Sequence, residues 1–161
     1  MNMKKNIFIY LSLALGALAC KPEISGELGE LTNKEVGMDG NWELSKFSIQ
    51  DPNSPILEQR DFTSFYTGEN ITPLTIHFDA ATHEYHVDIE KGRNFFGDQG
   101  TWFLDDVIAP SSLYLVNTND TTEIALGSMV TANSSEMNLS INRICSSGFK
   151  NVTYKFNLTR K

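Results

Sequence analysis

At 161 residues, with 40% apolar and 11% aromatic content, the chain is long enough for one domain with a real core and too hydrophobic to be disordered. Its net charge is −7 and its 13 Lys and Arg are scattered, which argues against nucleic acid, because phosphate binding needs clustered cations. The acidity reads as solubility.

The chain opens with an address label. Met1 to Asn6 carries Lys4 and Lys5, Ile7 to Leu18 is apolar apart from Ser12 and Gly16, and Ala19 precedes Cys20. A basic start, a short apolar run and a small residue at the cut describe a secretory signal. The run is short of the roughly 20 apolar residues a spanning helix needs. Leu15-Gly16-Ala17-Leu18-Ala19-Cys20 resembles a bacterial lipobox, whose cysteine receives diacylglycerol before the peptidase cuts ahead of it. Ala17 stands where that pattern usually has Leu, Val or Ile. The resemblance implies removal of residues 1–19, lipidation of Cys20 and a membrane anchor there, since two or three acyl chains hold stably where one does not. Cys145 is the one other cysteine, so an acylated Cys20 leaves no internal disulfide. With Lys4 and Lys5 removed, 11 of the 13 basic residues remain against 20 acidic ones.

Lys21 to Met38, with three Gly, one Pro and four Glu, reads as a flexible tether completing a segment 20–38. Such a coil spans roughly 25 Å. Lys21 and Glu23 resemble the export signal of surface lipoproteins of Bacteroidetes, interrupted by Pro22, which leaves the face of the outer membrane open.

From residue 39 to 161 one domain is expected. Period-two alternation, broken by turn residues, predicts strands at Asn41–Ile49, Pro73–Asp79, Glu84–Lys91, Gly100–Asp106, Ser111–Asn117, Thr122–Ser128, Glu136–Arg143 and Asn151–Arg160. A turn of helix is expected around Phe62, Phe65 and Tyr66. The hairpin registers follow from matching apolar faces. Phe78 pairs with Tyr85, Ile76 with Val87 and Leu74 with Ile89. Leu104 pairs with Leu113 and Trp102 with Leu115. Leu115 pairs with Ile124 and Leu113 with Leu126. Ile141 pairs with Tyr154, Leu139 with Phe156 and Met137 with Leu158. Consecutive hairpins make an all-β, eight-stranded, antiparallel up-and-down barrel, whose closure removes open edges. A two-sheet sandwich is the competing fold.

Gly40-Asn41-Trp42 at the first strand resembles the G-x-W signature of lipocalins. That resemblance implies that Trp42 plugs one barrel end under a basic side chain of the last strand, for which Arg160 is the match. With the lipobox and Gly100-Thr101-Trp102, the chain resembles lipocalin-like lipoproteins of Bacteroidetes, a family of unknown function.

No nucleophile motif, P-loop, dinucleotide fingerprint or zinc-type spacing occurs, so no catalytic residue, cofactor or metal site is assigned and no enzyme is expected. Gly92 to Gly100 holds three glycines around Phe95-Phe96 and reads as a loop at the barrel mouth. The expected register sets His77 opposite His86 and Asp79 opposite Glu84. That set has zinc- or nickel-binding chemistry, but an ordinary exposed polar face is the preferred reading. Asp105-Asp106 would point to opposite faces of a strand, which disfavours paired acid/base work. Six N-x-S/T sequons, Asn70 and Asn151 among them, are composition in a lipobox protein. Asp120-Thr121-Thr122 resembles the O-glycosylation site of Bacteroidetes exported proteins, though a bare turn is preferred. The expected function is an envelope lipoprotein binding a small apolar or amphipathic ligand. The alternative is an accessory module with a filled barrel, displaying its loops to an envelope protein partner.

Overall fold

The computed structural model describes residues 33–54, 56, 58–118, 120–127, 134–144 and 150–161. The signal segment, Cys20, most of the tether and Cys145 lie outside the described residues. A short helix α1 (Glu35–Met38) precedes nine strands: β1 (Gly40–Gln50), β2 (Gln59–Asp61), β3 (Thr75–Asp79), β4 (Glu84–Asp88), β5 (Gln99–Leu104), β6 (Ser112–Val116), β7 (Thr121–Leu126), β8 (Glu136–Ile144) and β9 (Lys150–Arg160). A 3-10 turn, Thr63–Phe65, follows β2 and realises the expected turn of helix.

All pairings are antiparallel, in the order β2-β1-β3-β4-β5-β6-β7-β8-β9, and β1 also pairs with β9. Eight strands therefore close into an up-and-down barrel, the architecture the alternation predicts. The ninth, β2, is a flap on the second half of β1. Its three residues are all exposed and polar, Gln-Arg-Asp, so they carry no alternation by which the sequence could announce them.

The chain spends β1 on three neighbours. Gly40–Glu43 pair with β3 and Ser48–Gln50 with β2, while the other edge runs along β9. Between Leu44 and Lys46 the register to β9 shifts at a bulge, and the Ser45 hydroxyl donates to the Asn157 carbonyl (2.9 Å). The extra residue resets the side-chain period. Trp42 and Leu44 face inward before it and Phe47 after it, where plain alternation would have turned Lys46 into the core. Where β1 changes neighbour, the Phe47 amide donates to the Thr63 hydroxyl (3.0 Å), so the gap in the ladder is met by a side chain.

The predicted registers hold at Phe78–Tyr85, Ile76–Val87, His77–His86 and Asp79–Glu84. They hold also at Leu104–Leu113 and Trp102–Leu115, and at Ile141–Tyr154, Leu139–Phe156 and Met137–Leu158. Leu74 and Ile89 fall just beyond the ends of their strands. The β6–β7 register is corrected by two residues, because Leu113 pairs with Ile124 and Leu115 with Thr122. The expected register places the turn between positions 118 and 121. Instead Asn117 and Asp120 bracket a turn of the same length one residue earlier, the Asn117 amide donating to the Asp120 carbonyl and the Asp120 amide to Asn117 Oδ1, each at 3.0 Å. A slip of two preserves the inward face, so apolar matching cannot detect it.

The interior is filled. Trp42, Ile76, Phe78, Leu113, Ile124, Met137, Phe156 and Leu158 are fully buried, with Trp102 and Leu115 nearly so. Residues 33–38, read above as the end of a tether, pack onto the barrel instead. Met38 is fully buried, and the Lys34 amide donates to the Val107 carbonyl (2.7 Å). The reason is that the indole of Trp42 requires a cover and α1 supplies it.

Candidate functional site

The two ends of the barrel differ. At the end where β1 begins, the Trp42 indole Nε1 donates to the Met38 carbonyl (2.7 Å), and the Arg160 guanidinium lies 4.7 Å from the Trp42 ring centroid. Arg160 also donates to the Gly37 carbonyl. Glu35 reaches His83 on the β3–β4 turn (3.3 Å), and the His83 ring lies 5.2 Å from that of Trp102. This end is shut by packing and polar contacts alike.

At the opposite end the chain leaves an apolar cleft of about 180 Å³, lined by Phe47, Ile49, Phe62, Phe65, Tyr66, Arg93, Phe95 and Tyr154. Four stretches of chain build it. The far half of β1 and β9 contributes Phe47, Ile49 and Tyr154, and the Phe47 and Tyr154 rings are nearly parallel, at 7°, with centroids 6.4 Å apart. The 3-10 turn contributes Phe65, which is 56% exposed and so presents its ring to solvent. The Asp61 carboxylate starts that turn by accepting from the Thr63 amide (2.8 Å) and hydroxyl (2.6 Å), which holds the Asp61 carboxyl below its ordinary range.

The β4–β5 loop contributes Arg93 and Phe95. Phe95 lies 4.6 Å from Tyr154, and Phe96 behind it is fully buried against Phe156 at 4.9 Å. The Tyr66 hydroxyl donates to the Arg93 carbonyl (2.7 Å), tying this loop to the 3-10 turn. Burial pushes the Tyr66 phenol up to about 12, so it stays a neutral donor. Gly92 permits the approach. Its φ is +101°, and a Cβ there would stand 2.6 Å from the Tyr66 ring. Arg93 is exposed, its guanidinium 5.1 Å from the Phe95 centroid, and no carboxylate among the described residues lies within ion-pair distance of it.

The other singled-out residues are engaged elsewhere. His77 and His86 are cross-strand neighbours on the outer wall, above an open groove of about 410 Å³ that Asp79, Glu84 and Gln99 help to line. Each imidazole already has a partner. His77 Nδ1 meets Asn41 Oδ1 (2.9 Å), and His86 Nε2 meets Asp88 Oδ1 (3.1 Å). Asp79 accepts from the Ala81 (2.7 Å) and Thr82 (2.9 Å) amides of the hairpin turn. Among the described residues no group of three or more His, Cys, Asp or Glu is arranged to hold a metal ion. Asp105 and Asp106 organise the β5–β6 turn. Asp105 accepts from the Ser111 hydroxyl (2.6 Å) and the Ser111 and Ser112 amides (2.9 Å each), which lowers its carboxyl to about 2. Asp106 accepts from the Ile108 and Ala109 amides. Thr121 is exposed at the start of β7, its amide donating to Asp120 Oδ1 (2.8 Å). Asn70 sits in a turn at φ +62°, and the side chain of Asn151 lies outside the described residues.

Sequence reasoning placed Phe62, Phe65 and Tyr66 around a turn of helix and Phe95 in a mouth loop, but did not join them to each other or to Phe47 and Tyr154. Nor did it single out Arg93, although a basic residue two positions before a Phe-Phe pair in a glycine-flanked loop was a visible signal. Among the described residues no helix is long and apolar enough to cross a membrane. The chain matches no protein-family model and no curated protein.

Proposed function

We propose that the protein is a lipocalin-like envelope lipoprotein, anchored to a membrane through Cys20, whose barrel domain binds a small apolar or amphipathic ligand. The observation that carries this reading is the aromatic cleft at the mouth, open to solvent above an otherwise filled barrel. Burying an apolar surface such as that of Phe65 is favourable at roughly 25 cal/mol per Å², so a ligand of matching shape gains by covering it. The filled interior favours a second reading, an accessory module whose mouth loops meet an envelope protein. Native mass spectrometry of the protein purified from its own host separates the two. A mass excess of small-molecule size supports ligand binding, while an empty barrel carried with a protein partner supports the accessory role.

A further inference from the structure

We propose that the mouth cleft selects a small aryl carboxylate, one flat apolar ring with an anionic arm, and that Arg93 receives the charge. This rests on the mouth cleft being a ligand site, as proposed above.

Size sets the first limit. An apolar cavity of about 150 Å³ is known to accommodate benzene, so the cleft of about 180 Å³ fits one ring and a short arm. Its floor is closed, with Phe96 and Phe156 fully buried in edge-on contact at 4.9 Å, so no channel leads an acyl chain down into the barrel. The walls set the second limit. Phe47, Phe62, Phe65, Phe95 and Tyr154 offer ring faces and edges, which favour an aromatic body through offset and edge-to-face contacts.

Charge sets the third. Arg93 is the one charged side chain lining the cleft. The Tyr66 hydroxyl is already spent on the Arg93 carbonyl, so that phenol does not compete for a ligand's polar end. That same bond, with the stacking of the guanidinium on Phe95, fixes where Arg93 leaves the loop. A guanidinium with no carboxylate partner among the described residues, at the rim of an apolar cleft, offers its donor fork, and the fork matches a carboxylate in bidentate geometry.

The test is an NMR titration of the full chain with phenylacetate and with its neutral counterpart phenylacetamide, following the Phe47, Phe95 and Tyr154 ring signals. Phenylacetate is expected to bind about tenfold more tightly than the amide, the value of one charge-assisted hydrogen bond at such a site. Arg93→Gln should bring the ratio to about one. Equal affinities in the wild type, or a preference that survives Arg93→Gln, overturn the assignment of Arg93 while leaving the cleft as a ligand site. Ring signals that neither compound moves at millimolar concentration overturn the cleft itself, and this proposal with it.

Discussion

Arg160 on the last strand is the direct cross-strand partner of Trp42 on the first, and its guanidinium lies over the indole ring. The seam that closes the barrel is thus also the place where its end is plugged. Trp42 is fully buried and bonded to Met38, so Trp42→Ala should cost about 3–5 kcal/mol, the range for deleting a buried aromatic. Arg160→Ala removes the ring contact and the bond to Gly37, and should cost less, about 1–3 kcal/mol. Urea unfolding of both variants checks the order. A loss at Trp42 within about 0.5 kcal/mol, typical of surface sites, would refute the plug.

Gly92→Ala should destabilise the mouth more than an ordinary loop substitution. The backbone is at φ +101°, and the new methyl would meet the Tyr66 ring at 2.6 Å. Either Tyr66 or the loop must move, at an expected cost of about 1–3 kcal/mol. Thermal melting measures it, and an increased exchange rate of the Tyr66 hydroxyl proton should accompany it as the bond to Arg93 loosens.

Asp105 gives the protein a stability that depends on acid. Its folded carboxyl lies near 2, below the ordinary value of 3.8, because Ser111 and Ser112 donate to the ionised form. A depressed folded value means the contribution is complete above about pH 4 and is lost as pH falls toward about 2. Asp105→Asn should therefore flatten the dependence of the urea midpoint on pH in that window and leave its slope above about pH 5 unchanged. An unaltered acid limb in the variant would show that the turn does not hold its carboxylate this way.

Lipidation at Cys20 is tested in a bacterial host with the lipoprotein machinery. Cys20→Ala should abolish labelling from fed palmitate and leave residues 1–19 attached. Normal maturation and labelling of the variant would remove Cys20 as the anchor.

The sequence alone was enough for the barrel, for most of its registers and for the absence of recognised catalytic motifs. Alternation is local, and an inward face such as Leu139-Ile141 against Tyr154-Phe156 can be matched without knowing where the hairpin lies. Tertiary structure alone decided the rest, because it depends on backbone geometry that leaves the apolar pattern unchanged or on residues distant in the chain. The two-residue slip at Leu113–Ile124 preserves every face and is settled by how Asn117 and Asp120 bond in the turn. The bulge at Ser45 turns Phe47 inward by inserting a residue that has no signature of its own. The mouth cleft gathers Phe47, Phe65, Arg93 and Tyr154 from four separate stretches of chain, each unremarkable alone, and only closure of β1 onto β9 brings them to one rim.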